Sequence, residues 1–169
     1  QHFNGESRER LAATSVTCIN ASYALFGGGF YYDSGSGIYS NDVDIFKCND
    51  HGIFNDVPLQ HFAGPARDGL AATSVTCGND SYALFGGGRG ANNGTGFNSN
   101  NVDIFKCNDN GVFYHKTIQF NGPPRSDLAA TTVKVDGKEY ALFAGGNDGS
   151  SNYDTIDIYD CETEQFLPL

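Results

Sequence analysis

The chain has 169 residues, room for one ordinary domain, with a formal net charge of −10 and no methionine or tryptophan. Twenty acidic residues against ten basic ones argue against a phosphate-tracking surface, which concentrates Lys and Arg, so no nucleic-acid partner is expected. No apolar run approaches the roughly 18 residues of a membrane-spanning helix, no secretory h-region opens the sequence, and without an initiator Met the chain is expected to be a processed product or a piece of something longer.

In chain order, the apolar and β-branched run LAATSVTC predicts a first strand, A, at 11–18. SYALFGG predicts strand B at 22–28, DVDIFKC strand C at 42–48, and IFNDVPL strand D at 53–59. The same runs then return: LAATSVTC at 70–77, YALFGGG at 82–88, VDIFKC at 102–107 and VFYHKTI at 112–118. A third set reads LAATTVKV at 128–135, YALFAGG at 140–146 and IDIYDC at 156–161. Tyr23, Tyr82 and Tyr140 are spaced by 59 and 58 positions, so the chain divides into units 1–59, 60–118 and 119–169. A fixed period of this length signals a repeat architecture. Turn residues such as Gly78-Asn79-Asp80 and Asn108-Asp109-Asn110-Gly111 separate the strands, and no helical period intervenes. In strand B of the second unit, Tyr82 and Leu84 face one way and Ala83 and Phe85 the other. A sheet that is apolar on both faces requires a neighbour on each side.

Paired glycines after an apolar strand, an Arg ahead of strand A (Arg8, Arg67, Arg125) and the VDIF or IDIY run resemble kelch repeats across all three units. The resemblance implies an all-β fold of kelch-type β-propeller blades: three four-stranded antiparallel blades forming part, half, of a propeller. The family's fourth-strand Trp is absent, and Phe54, Phe113 and Phe166 take its place. Three blades do not close a ring, so self-association, as a dimer or polymer completing the propeller, or further blades elsewhere in a longer chain, is expected. The triple glycine has no following Lys-Ser/Thr and helix; its expected role is backbone geometry, not phosphate binding.

Cys18 and Cys48 end strands A and C, Cys77 and Cys107 repeat that placement, and the third unit has Val135 and Cys161. Pairing within a unit gives Cys18–Cys48 and Cys77–Cys107 and leaves Cys161. Pairing between units gives Cys48–Cys77, and five free thiols are the third arrangement. Strands A and C are two spacings apart, about 9.6 Å, beyond the roughly 7 Å limit of a bridge unless their ends bend together; within-unit pairing is the expectation. Asn20, Asn79 and Asn93 head glycosylation sequons. Sequons together with paired cysteines point to an extracellular, secreted setting.

Asp44, Asp103 and Asp157 share one position in strand C and are expected to accept hydrogen bonds from backbone or Arg within their own blades, because a buried charge must be paired. The three Arg are expected to anchor blade junctions. A galactose-oxidase-like copper enzyme, a less favoured reading, needs converging His and Tyr ligands. His2 and His61 are repeat equivalents, His51 and His115 fall near strand D, and no His pair has ligand spacing, so no enzyme activity, metal or cofactor is expected. The B–C loops differ where the strands do not, and they are rich in Tyr, Gly, Ser and Asn, a mix that suits adaptable recognition. Tyr31, Tyr32, Tyr39, Arg89, Phe97 and Tyr153 are expected to gather on the face shared by the B–C and D–A loops. The expected function is an extracellular, non-enzymatic kelch propeller module that binds protein or glycan through these loops; the alternative is a structural repeat subunit of an extracellular polymer or fibre. An intracellular adaptor is disfavoured by the sequons and cysteines.

Overall fold

The structure, a computed structural model, describes residues 2–18, 21–49, 52–54, 57–107 and 113–168. Asn20, His51, the 108–111 turn and the side chain of Phe54 lie outside the described residues. Strands account for the regular structure, and no helix occurs among the described residues. In particular, none is long and apolar enough to cross a membrane.

The first unit contributes β1 (Ala12–Cys18), β2 (Ala21–Gly27), β3 (Phe30–Asp33), β4 (Ser36–Tyr39), β5 (Asp42–Asn49) and β6 (Gly52–Phe54). After β7 (Gln60–His61), the second contributes β8 (Ala71–Cys77), β9 (Asp80–Gly86), β10 (Arg89–Asn92), β11 (Thr95–Asn98), β12 (Asn101–Cys107) and β13 (Phe113–Gln119). The third contributes β14 (Ala129–Val135), β15 (Lys138–Ala144), β16 (Ile156–Asp160) and β17 (Gln165–Phe166). Each unit forms one antiparallel sheet in the order A-B-C-D: β1-β2-β5-β6, β8-β9-β12-β13 and β14-β15-β16-β17. Gln60–His61 pairs with β5, and Gln119 pairs with Asn101 of β12, so the residues that open the second and third repeats complete the sheet before them.

Two B–C segments that read as polar loops are two-stranded ribbons, β3-β4 and β10-β11. Their tips carry positive φ at Ser34 (50°) and Gly35 (85°), and at Asn93 (48°) and Gly94 (79°). Two consecutive left-handed residues make the turn whose twist matches a hairpin. The third unit has no such ribbon. Its 147–153 segment instead wraps around Asp148, whose carboxylate accepts the Ser150 and Ser151 amides at 2.8 Å each.

The three sheets stack, with β8 packed against both β1 and β14. The first interface buries Val16, Leu25, Val43 and Ile45 against Phe62, Ala83, Phe85 and Phe105. The second repeats it with Val75, Leu84, Val102 and Ile104 against Phe120, Ala141 and Phe143. Each sheet therefore has a front, facing the next unit, and a back, facing the one before.

The disulfides correct the within-unit expectation. Cys18 bonds Cys107 and Cys77 bonds Cys161, with Cα separations of 6.3 and 6.1 Å, while Cys48 is free. Side-chain alternation is the reason. Cys18 lies opposite Ala21 and shares the front face with Val16, whereas Cys48, opposite Ser22, shares the back face with Phe46. The same holds for Cys77 and Cys107. A front cysteine reaches only a back cysteine of the following sheet.

Candidate functional site

Arginine organises each unit. Arg8 pairs with Asp44 and Arg125 with Asp157, both at 2.7 Å, and Arg67 pairs with Asp103; all six side chains are fully buried. The guanidinium Nε donates to the carbonyl of the middle residue of the GGG or AGG run, Gly28, Gly87 or Gly145, at 2.7–2.8 Å. Each guanidinium also lies over a Phe ring, Phe3, Phe62 or Phe120, at 4.5–4.9 Å. The main chain of the same Arg crosses to the unit before. Arg67 donates its N–H to Ser40 at 3.1 Å and accepts from Gly29 at 3.0 Å; Arg125 does the same with Ser99 and Gly88. The Arg and Asp rows thus hold strands in their own sheets and join sheets to one another, as their repetition suggested.

Asp103 has further partners. His115 Nε2 meets its carboxylate at 2.8 Å, Thr117 donates to it at 2.7 Å, and the His115 ring stacks on Phe105. Burial raises the Asp103 pKa, but hydrogen bonds from His115 and Thr117 and the Arg67 charge outweigh it, so the carboxyl stays below its ordinary range. His61 pairs with Asp42 at 2.9 Å near the surface. Among the described residues no cluster of three or more His, Cys, Asp or Glu is arranged to hold a metal.

These anchors set the loop segments at one end of the stack. Bridges Glu9–Phe30, Asp68–Arg89 and Ser126–Asn147 pin the segment ahead of each strand A to the start of its B–C segment. Between the pinned segments lies a cleft of about 270 Å³, lined by Tyr39 of the first unit, by Arg89, Gly90, Gly96, Phe97 and Asn98 of the second, and by Ser126 and Asn147–Gly149 of the third. Phe97 stands opposite Gly90, where an added Cβ would strike its ring. Glycine on that strand gives the ring room to lie flat.

Arg89 is partly exposed and is held by Asp68 at 3.2 Å and Asp127 at 3.6 Å. Burial raises the Asp68 pKa, and the Arg10 charge opposes the rise. Asn98 donates to the Asp148 carbonyl at 2.8 Å, tying the second hairpin to the third unit. The Tyr153 hydroxyl donates to the Asp148 carboxylate at 2.6 Å. That bond and the Ser150 and Ser151 amides lower the Asp148 pKa, and the same bond raises that of Tyr153, so a carboxylate and a phenol face each other at neutral pH.

No family model matches the chain, and no curated protein matches it in sequence.

Of the six loop residues singled out from sequence, Tyr39, Arg89 and Phe97 line the cleft, and Tyr153 reaches it through Asp148. Tyr31 and Tyr32 do not line it. Tyr32 stands 72% exposed, edge-on to Phe30 at 5.1 Å, and Phe30 in turn packs on Tyr39 at 5.2 Å. Asn98, Ser126, Asn147 and Asp148 were not singled out. Their convergence depends on how successive sheets are offset. Asn79 and Asn93 are both exposed at hairpin turns.

Proposed function

We propose that the chain is part of an extracellular kelch-type β-propeller that binds a protein or glycan through this loop-face cleft, without catalysing a reaction. The observation that carries the reading is the cleft itself. Aromatic faces (Tyr39, Phe97), amides (Asn98, Asn147), a carboxylate (Asp148) and a guanidinium (Arg89) come from three separate units at the end where the repeats diverge in sequence. Such a set offers flat apolar surface beside fixed donors and acceptors, the combination that ligand sites use for affinity and orientation. The two disulfides and the two exposed sequon asparagines support an oxidising compartment. In this reading the sheets are blades, and further units complete the ring.

The reading predicts that a glycan array or a panel of extracellular proteins yields a ligand whose affinity falls about tenfold or more with Phe97→Ala or Arg89→Ala, the usual cost of truncating a buried anchor side chain at a binding site. Unchanged binding by both variants, at unchanged melting temperature, would remove the cleft from the function. A second reading, a repeat subunit of an extracellular polymer, draws support from the two end faces of the stack, which remain apolar and open. Val133 and Ile156 on the third front face are 38% and 48% exposed, where their equivalents Val75 and Val102 are 1% and 0%.

A further inference from the structure

Cysteine follows a strict rule in this stack. A cysteine at the end of strand C always points backward, and in the second and third units it bonds the cysteine that ends strand A of the unit before: Cys107 to Cys18, Cys161 to Cys77. Cys48 occupies the same position in the first unit. By register it stands beside Phe46 on the back face, as Cys107 stands beside Phe105. It is the free cysteine, and it is half-buried where Cys107 and Cys161 are 2% and 3% exposed.

The face around Cys48 is open in the same way. Ala24 and Phe26 are half-buried, whereas their equivalents Ala83, Phe85, Ala141 and Phe143 are fully buried by the unit before. A cleft of about 280 Å³ opens over Phe3 and Phe46. An apolar sheet face of this kind is covered twice within the chain, each time by the front of another unit.

We propose that the back of the first sheet is the docking surface for one more unit of this same repeat, whose strand A ends in cysteine, and that Cys48 forms a disulfide with it. The occupant is a β-unit with the apolar front of the first or second unit and a cysteine at the place of Cys18 and Cys77. The third unit of a second copy has the front but not the thiol, since Val135 stands there. The bond forms by exchange with a small disulfide such as oxidised glutathione. The Cys48 thiolate attacks one sulfur and releases one glutathione thiol; the second cysteine then displaces the other. Two protein thiols are oxidised and one glutathione disulfide is reduced to two thiols. This inference rests on the reading that further units complete the stack.

The third unit supplies a probe. A full-length C48S/V135C variant presents a thiol on a front face at the register that Cys18 and Cys77 occupy. It is mixed with the wild-type chain in a glutathione redox buffer, beside a C48S/S36C control whose thiol lies on the exposed β3-β4 turn. The expected product is a mixed disulfide joining the Cys48 peptide to the peptide bearing position 135, in about tenfold or greater excess over the control, because docking raises the local thiol concentration. Equal yields from the two probes overturn the inference. Light scattering on the same mixtures separates the two levels. Association without a preferred crosslink removes Cys48 as the link but leaves the docking of units standing, whereas no association and no preferred crosslink removes both.

Discussion

Arg67→Ala is expected to destabilise the chain by about 3–5 kcal/mol, the cost of removing one member of a buried ion pair, although His115 and Thr117 still hold the Asp103 carboxylate. Arg67 and Asp103 are fully buried between two stacked sheets, and no solvent reaches either group to replace the missing partner. The guanidinium also satisfies the carbonyl of Gly87 at 2.8 Å and packs on Phe62 at 4.5 Å. Arg67→Lys is expected to rescue little, because an ammonium does not reproduce the planar fork that reaches carboxylate and carbonyl together. Asp103→Ala is expected to cost a similar amount, and the double variant R67M/D103L less than the sum of the two singles, since it removes the uncompensated charge. Urea denaturation of the four variants checks this. A loss below about 1 kcal/mol for Arg67→Ala, the size of an exposed pair, would contradict the buried-anchor account.

Gly87→Val is the second large effect. Gly87 has φ +71°, and an added Cβ would meet the Arg125 carbonyl oxygen and Leu128 at 2.7 Å each. Backbone strain for a branched residue there is about 1–3 kcal/mol, and overpacking against the next unit adds a comparable amount. Gly28 makes the same approach to Arg67 and Leu70 and is expected to behave alike. Gly145 is the internal control. Its φ is +69°, but the nearest atom to an added Cβ is the Tyr153 carbonyl at 3.8 Å, because no further sheet among the described residues packs there. Gly145→Val is therefore expected to show the strain alone. Urea midpoints that fall equally for Gly87→Val and Gly145→Val in the dilute chain would mean that the contact between sheets contributes nothing.

Much of this architecture is legible in the sequence because the repeat writes each interaction three times. The strand runs, the Arg and Asp rows and the glycine turn recur at one spacing, and residues that recur with strands are the ones that hold strands. Asn93-Gly94 also carries a hairpin signal, but Arg89-Gly90-Ala91-Asn92 has no strand-favouring residue and only Thr95 and Phe97 favour strand on the other side, so the segment reads as loop. The disulfide pairing is hidden for a different reason. It depends on which face of a sheet Cys18 and Cys48 occupy, and that parity passes through the register of the intervening strand before it reaches the offset of the next sheet. The cleft is half legible for the same cause. Tyr39, Arg89 and Phe97 stand out by size and by divergence between units, while Asn98, Ser126 and Asp148 gain a place only when three units are set side by side.

The stacking of consecutive units is the central claim, and disulfide mapping tests it most directly. Non-reducing proteolysis of the alkylated native chain, followed by mass spectrometry, is expected to yield two linked peptide pairs, one joining Cys18 to Cys107 and the other joining Cys77 to Cys161, with Cys48 outside both. Recovery of Cys18 joined to Cys48, or of Cys77 joined to Cys107, would place front and back cysteines of one sheet together and contradict the stack.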